Sequence, residues 1–317
     1  MSFRPTAARE TWICRQKLLR KTRSFFEERG VLEVETPVLS RAGGTDPHLD
    51  YFETVSPKRY LMTSPEFHMK RLLSAGFGDI FQITKAFRKE ESGARHNPEF
   101  SILEWYRLGY SMETLMDEVE QLCSQILGSP VRAKRTRWED AFKTYGKMDP
   151  FEKKTESWIS ACKQMNIPVP QNAGEFEQED WWDYWMVMVI EPELGKTVPE
   201  FIWYYPPSQA ALAQITEDTK GNRWACRFEL YIHNVELCNG YQELLSAEEQ
   251  AARFQEDTQL RKKMGKPEPE TDSLFLEALR AGMPACSGVA LGLDRLFMLA
   301  LSKERIEDVL FFPDDIA

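Results

Sequence analysis

Apolar residues recur at helical spacing across residues 8–29, where Trp12, Leu18, Leu19, Phe25 and Phe26 mark a face and Gly30 stops the run. Val31–Pro37 is then strand-like, Pro37 ending it, and Arg41–Pro47 is a loop by composition. Tyr60-Leu61-Met62 predicts a short strand. Ser64-Pro65-Glu66 predicts a helix start, with serine as cap, proline in the first helical position and an acid in the first turn; that helix runs to about Ala75.

Asp79–Lys89 and Glu99–Tyr110 predict two strands of an antiparallel hairpin joined by a polar loop, with a helix over 112–127 behind them. Residues 130–210 are the least legible: helical patches, several tryptophans and repeated proline breaks predict helical insertions around the core. Within them Trp181–Ile190 is the most apolar stretch and predicts a buried helix, being too short to span a membrane. From Arg223 the pattern is strand-like to Leu237, with a turn expected at Asn239-Gly240. A helix follows over Ser246–Lys263, then a charged, proline-rich break, another helix, and a last strand and helix around Asp294. Hairpins at both ends of the chain predict an α+β fold, an antiparallel sheet flanked by helices, in one domain spanning 1–317.

Bulk composition excludes more than it selects. Apolar residues make up 42% of the 317 and charged residues 28%, which fits a globular protein with a sizeable core. No signal-like apolar segment opens the chain, so no membrane partner and a cytoplasmic location are expected. The six scattered cysteines form no C-x-x-C pair, so reduced thiols are expected rather than a zinc site or disulfides. The net charge of −10 argues mildly against a large RNA partner. The basic clusters Arg15–Arg23, Lys134–Arg137 and Arg261–Lys263 read as solvated faces.

Two segments carry candidate chemistry. Phe87-Arg88-Lys89-Glu90-Glu91 leads through a loop to Arg95-His96-Asn97-Pro98-Glu99-Phe100. Arg88, at a strand end beside acids, is either a surface ion pair or a guanidinium preorganised to fork a phosphate, with Phe100 able to stack on a base. Gly292-Leu293-Asp294-Arg295 puts a glycine before a helix and an arginine in its first turn, where backbone N–H groups and the helix dipole favour phosphate. Neither segment is a Gly-rich P-loop. Glu229, Glu236 and Glu243 fall at seven-residue spacing, which in a plain strand alternates faces. They are surface acids or a metal site whose strand carries an irregularity.

Taken together, these segments resemble the motifs of class II aminoacyl-tRNA synthetase catalytic domains of the lysyl type. Gly30–Pro37 resembles motif 1, whose proline lies at a homodimer interface, Phe87–Phe100 motif 2 and Gly288–Leu296 motif 3. Glu236-Leu237-Cys238-Asn239-Gly240-Tyr241-Gln242-Glu243-Leu244 is similar to the lysyl segment that contacts metal and amino acid. The catalytic region begins almost at Met1, leaving no room for an anticodon-binding domain, so no tRNA anticodon binding is expected. In this the chain is most similar to the elongation factor P (R)-β-lysine ligase family, bacterial lysyl-tRNA synthetase paralogues.

The resemblance implies activation of (R)-β-lysine or lysine by ATP as an adenylate, then transfer to a lysine of elongation factor P. It implies that Arg88 and Arg295 serve catalysis by gripping the α- and γ-phosphates, and that Lys89, Glu90, Asn97, Phe100, Glu236, Leu237 and Gly292 line the ATP site. Glu229 and Glu236 would hold Mg2+. Ser64, Pro65, Glu66, Glu104, Tyr106, Asn239, Glu243 and Ala290 would form the amino-acid pocket, whose acids suit a diamine because each buried ammonium needs an anionic partner. Lys89 stands where asparagine is usual and Cys238 where lysyl enzymes have glycine. Ala290 also replaces a glycine; its methyl either narrows the pocket floor, a discrimination of about 1–3 kcal/mol, or is core packing. Two rivals remain: a free-standing activator that charges tRNA or makes an amide, and a non-catalytic synthetase-like dimer.

Overall fold

A computed structural model describes residues 3–89 and 91–317; Glu90 of the motif 2 segment lies outside the described residues. In chain order the elements are α1 Arg9–Glu27, β1 Leu32–Glu33, β2 Leu39–Ser40, β3 Glu53–Val55, β4 Lys58–Leu61, α2 Glu66–Ser74, β5 Ile80–Phe87, β6 Glu99–Leu108 and α3 Met112–Leu127. They continue as β7 Lys134–Arg137, α4 Trp138–Thr144, α5 Thr155–Gln164, α6 Gln178–Trp185, β8 Glu200–Tyr205, β9 Ile215–Glu217 and β10 Arg223–Ile232. The last are β11 Val235–Gln242, α7 Ala247–Lys263, α8 Ser273–Gly282, β12 Cys286–Gly292 and α9 Leu293–Ala300. The fold is α+β, its sheet mostly antiparallel and flanked by helices.

Two compact units divide these elements. Met1–Val131, Ala211–Gln214 and Leu237–Ala317 form the first, Arg132–Ala210 and Ile215–Glu236 the second. In the first unit the strands run β1-β5-β6-β12-β11, antiparallel except for the parallel pair β1 and β5. Its α2 buries Met69, Lys70 and Leu73 against α8, where Phe67 stacks on Phe275 with ring centroids 4.8 Å apart. Tyr106 of β6 and Cys286 of β12 belong to the same core, so strand residues facing it are held rigidly. In the second unit β10 pairs with β8 and β9, and β8 runs parallel to β7. The stretch Trp181–Ile190 is helical, with Trp181, Trp182, Trp185, Val189 and Ile190 buried, as its apolar run predicts.

Several local expectations change. The strand over Val31–Pro37 shrinks to Leu32–Glu33. Helix α2 begins at Glu66 rather than Pro65, so Pro65 and not Ser64 takes the cap position, while the Ser64 Oγ accepts from the Glu66 N–H at 3.1 Å. The turn expected at Asn239-Gly240 is instead at His233-Asn234, both with positive φ, while Asn239 and Gly240 lie inside β11 opposite Ala290 and Val289. Two of the basic clusters are not wholly solvated. Arg15 is 4% exposed and ion-paired with Asp294 at 2.5 Å, and Arg261 is 1% exposed, donating to the carbonyls of Asp46, Leu49 and Pro267. All six cysteines are free, and among the described residues no helix is long and apolar enough to cross a membrane.

Candidate active site

Strand register in the first unit assembles the predicted amino-acid residues. Gln82, Glu104, Ala290 and Asn239 are aligned across β5, β6, β12 and β11, and the next row on the same face is Ile80, Tyr106, Gly288 and Tyr241. Ser64, just before α2, reaches over this face: its hydroxyl donates to Glu104 Oε2 at 2.7 Å, and the Tyr106 hydroxyl donates to Oε1 at 2.6 Å. Pro65 is buried and its carbonyl starts the helix by accepting from Met69.

Glu66 and Glu243 complete the acidic cluster, with a residue that the sequence reading missed between them. Lys70 Nζ lies 2.6 Å from Glu66 Oε1 and 2.6 Å from Glu243 Oε2. Burial alone would lower the pKa of this ammonium, but Glu243 and Glu66 outweigh it and hold the pKa above its usual value. Burial, with Glu66 nearby, pushes Glu104 up to about 8, against the hydrogen bonds from Tyr106 and Ser64. Burial likewise pushes Glu243 up to about 7, with Lys70 opposing and Glu66 adding.

A raised carboxylate destabilises the fold once pH exceeds its unfolded value, because the unfolded chain gives up the proton first. For Glu104 the loss runs from its ordinary 4.5 up through about 8. Melting the ligand-free parent and Glu104→Gln across that window should show the parent losing stability relative to the variant as pH rises. Parallel curves would mean that Glu104 titrates normally.

The predicted phosphate-binding residues also sit in the first unit. Arg88 pairs with Glu91 at 3.0 Å, and its guanidinium lies 5.1 Å from the Phe100 ring centroid, so the arginine and the aromatic are already matched. Lys89 is exposed, and its backbone N–H is tied to the Asp50 carbonyl. Asn97 is buried and bonded to backbone, donating to the Glu99 carbonyl and accepting from Asp314 N–H, so it anchors the loop to the C-terminal segment. Arg295 stands in the first turn of α9 and donates to the Arg95 carbonyl at 3.3 Å. His96 feels Arg295, Arg88 and Arg95 together, and partial burial followed by these cations holds its pKa down.

Asp294 fixes that helix start. One oxygen meets Arg15 of α1 at 2.5 Å, and the other accepts from the Ser101 N–H at 2.6 Å. At Gly292 φ is −68°, and an added Cβ would meet only the Arg295 side chain, no nearer than 3.5 Å. The fold therefore does not require glycine there, which leaves room for a ligand as the reason for it.

Glu229 and Glu236 belong to the second unit. A two-residue turn at His233-Asn234 places residues of opposite parity on one face, so seven-residue spacing brings these two acids to the same side. Tyr205 and Tyr231 donate to Glu229 Oε2 at 2.7 and 2.8 Å, and Arg227 meets Oε1 at 2.5 Å. Both tyrosine pKa values are raised well above normal, by burial first and then by Glu229, with Glu236 adding. Two carboxylates are the oxygen donors Mg2+ takes when phosphates supply the rest, but both Glu229 oxygens are engaged here by Tyr205, Tyr231 and Arg227. No group of three metal-binding side chains forms among the described residues. Leu237 is buried by its side chain.

Known proteins resemble this chain over nearly its full length. A family model described as tRNA synthetases class II (D, K and N) matches residues 1–316. A Mannheimia succiniciproducens protein named elongation factor P–(R)-β-lysine ligase is 45% identical, covering 98% of this chain and 97% of its own. A protein of that name from Haemophilus influenzae strain Rd is 45% identical over 99% of this chain and 98% of its own. Another, from Salmonella arizonae, is 44% identical over 100% and 98%. The chain belongs to the class II tRNA synthetase family of the D, K and N type.

Proposed function

We propose that this protein is an elongation factor P–(R)-β-lysine ligase. It joins the carboxylate of (R)-β-lysine, or of lysine, to the α-phosphorus of ATP, releasing pyrophosphate. The resulting mixed anhydride is then attacked by a lysine amine of elongation factor P, releasing AMP. The observation that carries the reading is the cluster of buried Glu104 and Glu243 with the partly buried Glu66 of α2, gathered over one sheet face, chemistry suited to a substrate with two ammonium groups.

No protein nucleophile is needed. Arg88 and Arg295 hold phosphate oxygens and meet the charge that builds as the carboxylate attacks, while Phe100 offers its ring to the adenine. Ser64 and Tyr106 orient Glu104. When bound by Glu229 and Glu236, Mg2+ would neutralise phosphate oxygens. Residues 1–317 would act as one catalytic domain, in the cytoplasm and as a homodimer. For the dimer, the exposed apolar side chains of Leu32, Val38 and Leu39 flank Pro37 of motif 1.

Intact-mass analysis of purified elongation factor P, after incubation with this protein, ATP and Mg2+, tests the reading. A gain of one lysyl unit, larger with (R)-β-lysine than with α-lysine, is expected; charging of tRNA with the factor unmodified would overturn it. Ala290 lies between Glu104 and Asn239, so its methyl faces the amino-acid row. Ala290→Gly should move the ratio of kcat/KM values toward α-lysine by about tenfold, within the ~1–3 kcal/mol that one methyl discriminates. An unchanged ratio would assign that methyl to packing.

A further inference from the structure

The roles above leave Lys70 unused, although it is 1% exposed in the middle of the acidic cluster. Its neighbours are Glu66 on its own helix one turn back, Glu104 from β6, Glu243 just beyond β11, Cys286 of β12, and the Phe275 ring of α8 at 5.8 Å. Glu66 and Glu243 share this one cation at 2.6 Å each, and two carboxylates brought so close without one would repel. The Gly288 N–H also holds Glu243 in place.

We propose that Lys70 is a positioning residue of the amino-acid pocket, clasping Glu66 and Glu243 so that both carboxylates stand ready for substrate and cancelling one of their charges beforehand. The inference rests on the reading of those two acids as partners of substrate ammonium groups. Charge matching supports it. Glu66, Glu104 and Glu243 set against Lys70 leave two net negative charges, or one while Glu104 keeps its proton. A diamino acid carries two ammoniums and one carboxylate, a net single positive charge that the latter state balances. With the Lys70 charge removed, the pocket overshoots and Glu243 loses the cation that opposes its rise, so it keeps its proton to higher pH than in the parent and no longer presents an anion to the substrate.

The test is Lys70→Met in the full chain, which keeps the volume and deletes the charge. Amino-acid-dependent ATP–pyrophosphate exchange is followed across about pH 6 to 9. The KM for the amino acid should rise by about tenfold with the KM for ATP unchanged, and the acid limb of kcat/KM should move up by about one unit. Parent values of both, in a protein that melts like the parent, would overturn the proposal. Should Lys70→Met fail to fold, Lys70→Ala is assayed with added ethylammonium and with added propanol. Rescue by the cation alone is expected, and equal rescue by both would reduce Lys70 to packing. Glu243→Gln runs in parallel. An unchanged amino-acid KM there would overturn the pocket reading itself, whereas a raised KM there beside a parent-like Lys70→Met removes only the role of Lys70.

Discussion

Replacing Arg88 with alanine should lower amino-acid-dependent ATP–pyrophosphate exchange by about 10²–10³-fold, the usual cost of deleting one preorganised donor aimed at developing charge. The guanidinium is held before any ligand arrives, by Glu91 at 3.0 Å and over the Phe100 ring at 5.1 Å. A fork fixed in this way needs little reorganisation when charge shifts toward the leaving pyrophosphate. Most of the loss should therefore fall in kcat, with the KM for ATP rising less, because uniform binding of ground and transition states contributes to KM alone. Arg88→Lys should recover only a small part, since an ammonium cannot fork two oxygens in one plane. The side chain is 27% exposed, so the melting temperature should hardly move, which separates chemistry from folding. Exchange within threefold of the parent in a folded Arg88→Ala protein would remove Arg88 from the reaction and return it to the status of a surface ion pair.

The periodic parts of the chain were legible because local pattern and tertiary role agree there. The hairpin of β5 and β6, the helices α3 and α7, and the last strand and helix lie within a few residues of where the apolar spacing put them. The turn between β10 and β11 was not. Asn-Gly is the strongest short-range turn signal, so Asn239-Gly240 outcompeted His233-Asn234, which lacks a glycine. Yet Gly240 is paired with Val289 inside the sheet, and the true turn places two non-glycine residues at positive φ. That displacement also explains why seven-residue spacing looked wrong for a pair of acids on one face.

Buried cations were the other blind spot. Charged residues default to the surface, and nothing within Arg15–Arg23 marks Arg15 as an exception. What buries it is Asp294, 279 positions away. Lys70 likewise depends on Glu243, and Arg261 on carbonyls of Asp46 and Leu49. In each case the partner arrives only through the fold, so local periodicity carries no trace of the pairing. The acids of the pocket were legible because motifs named them; the lysine between two of them was not.

Gly288 and Gly292 make a matched pair with opposite expectations. A Cβ at Gly288 would overlap the Tyr106 ring and come within 2.5 Å of Glu243 Oε1, so Gly288→Ala must displace both. Overpacking of this kind costs about 1–3 kcal/mol. Tyr106 also orients Glu104, and Glu243 is one of the two acids clasping Lys70, so the displacement reaches the whole acidic cluster. Gly288→Ala should therefore lower the melting temperature and raise the amino-acid KM by about tenfold or more, each misplaced ion pair being worth at least ~1.4 kcal/mol, with the KM for ATP unchanged. Gly292→Ala should behave conversely. Its Cβ meets only Arg295 at ordinary distance, so the fold should be as stable as the parent's while ATP binding weakens where the methyl enters the nucleotide's space. Thermal melts and the two KM values, measured on both variants, decide the matter. Should Gly288→Ala weaken ATP rather than the amino acid, the acidic row around Tyr106 would not be the amino-acid pocket. The same conclusion would follow if Gly292→Ala raised the amino-acid KM alone.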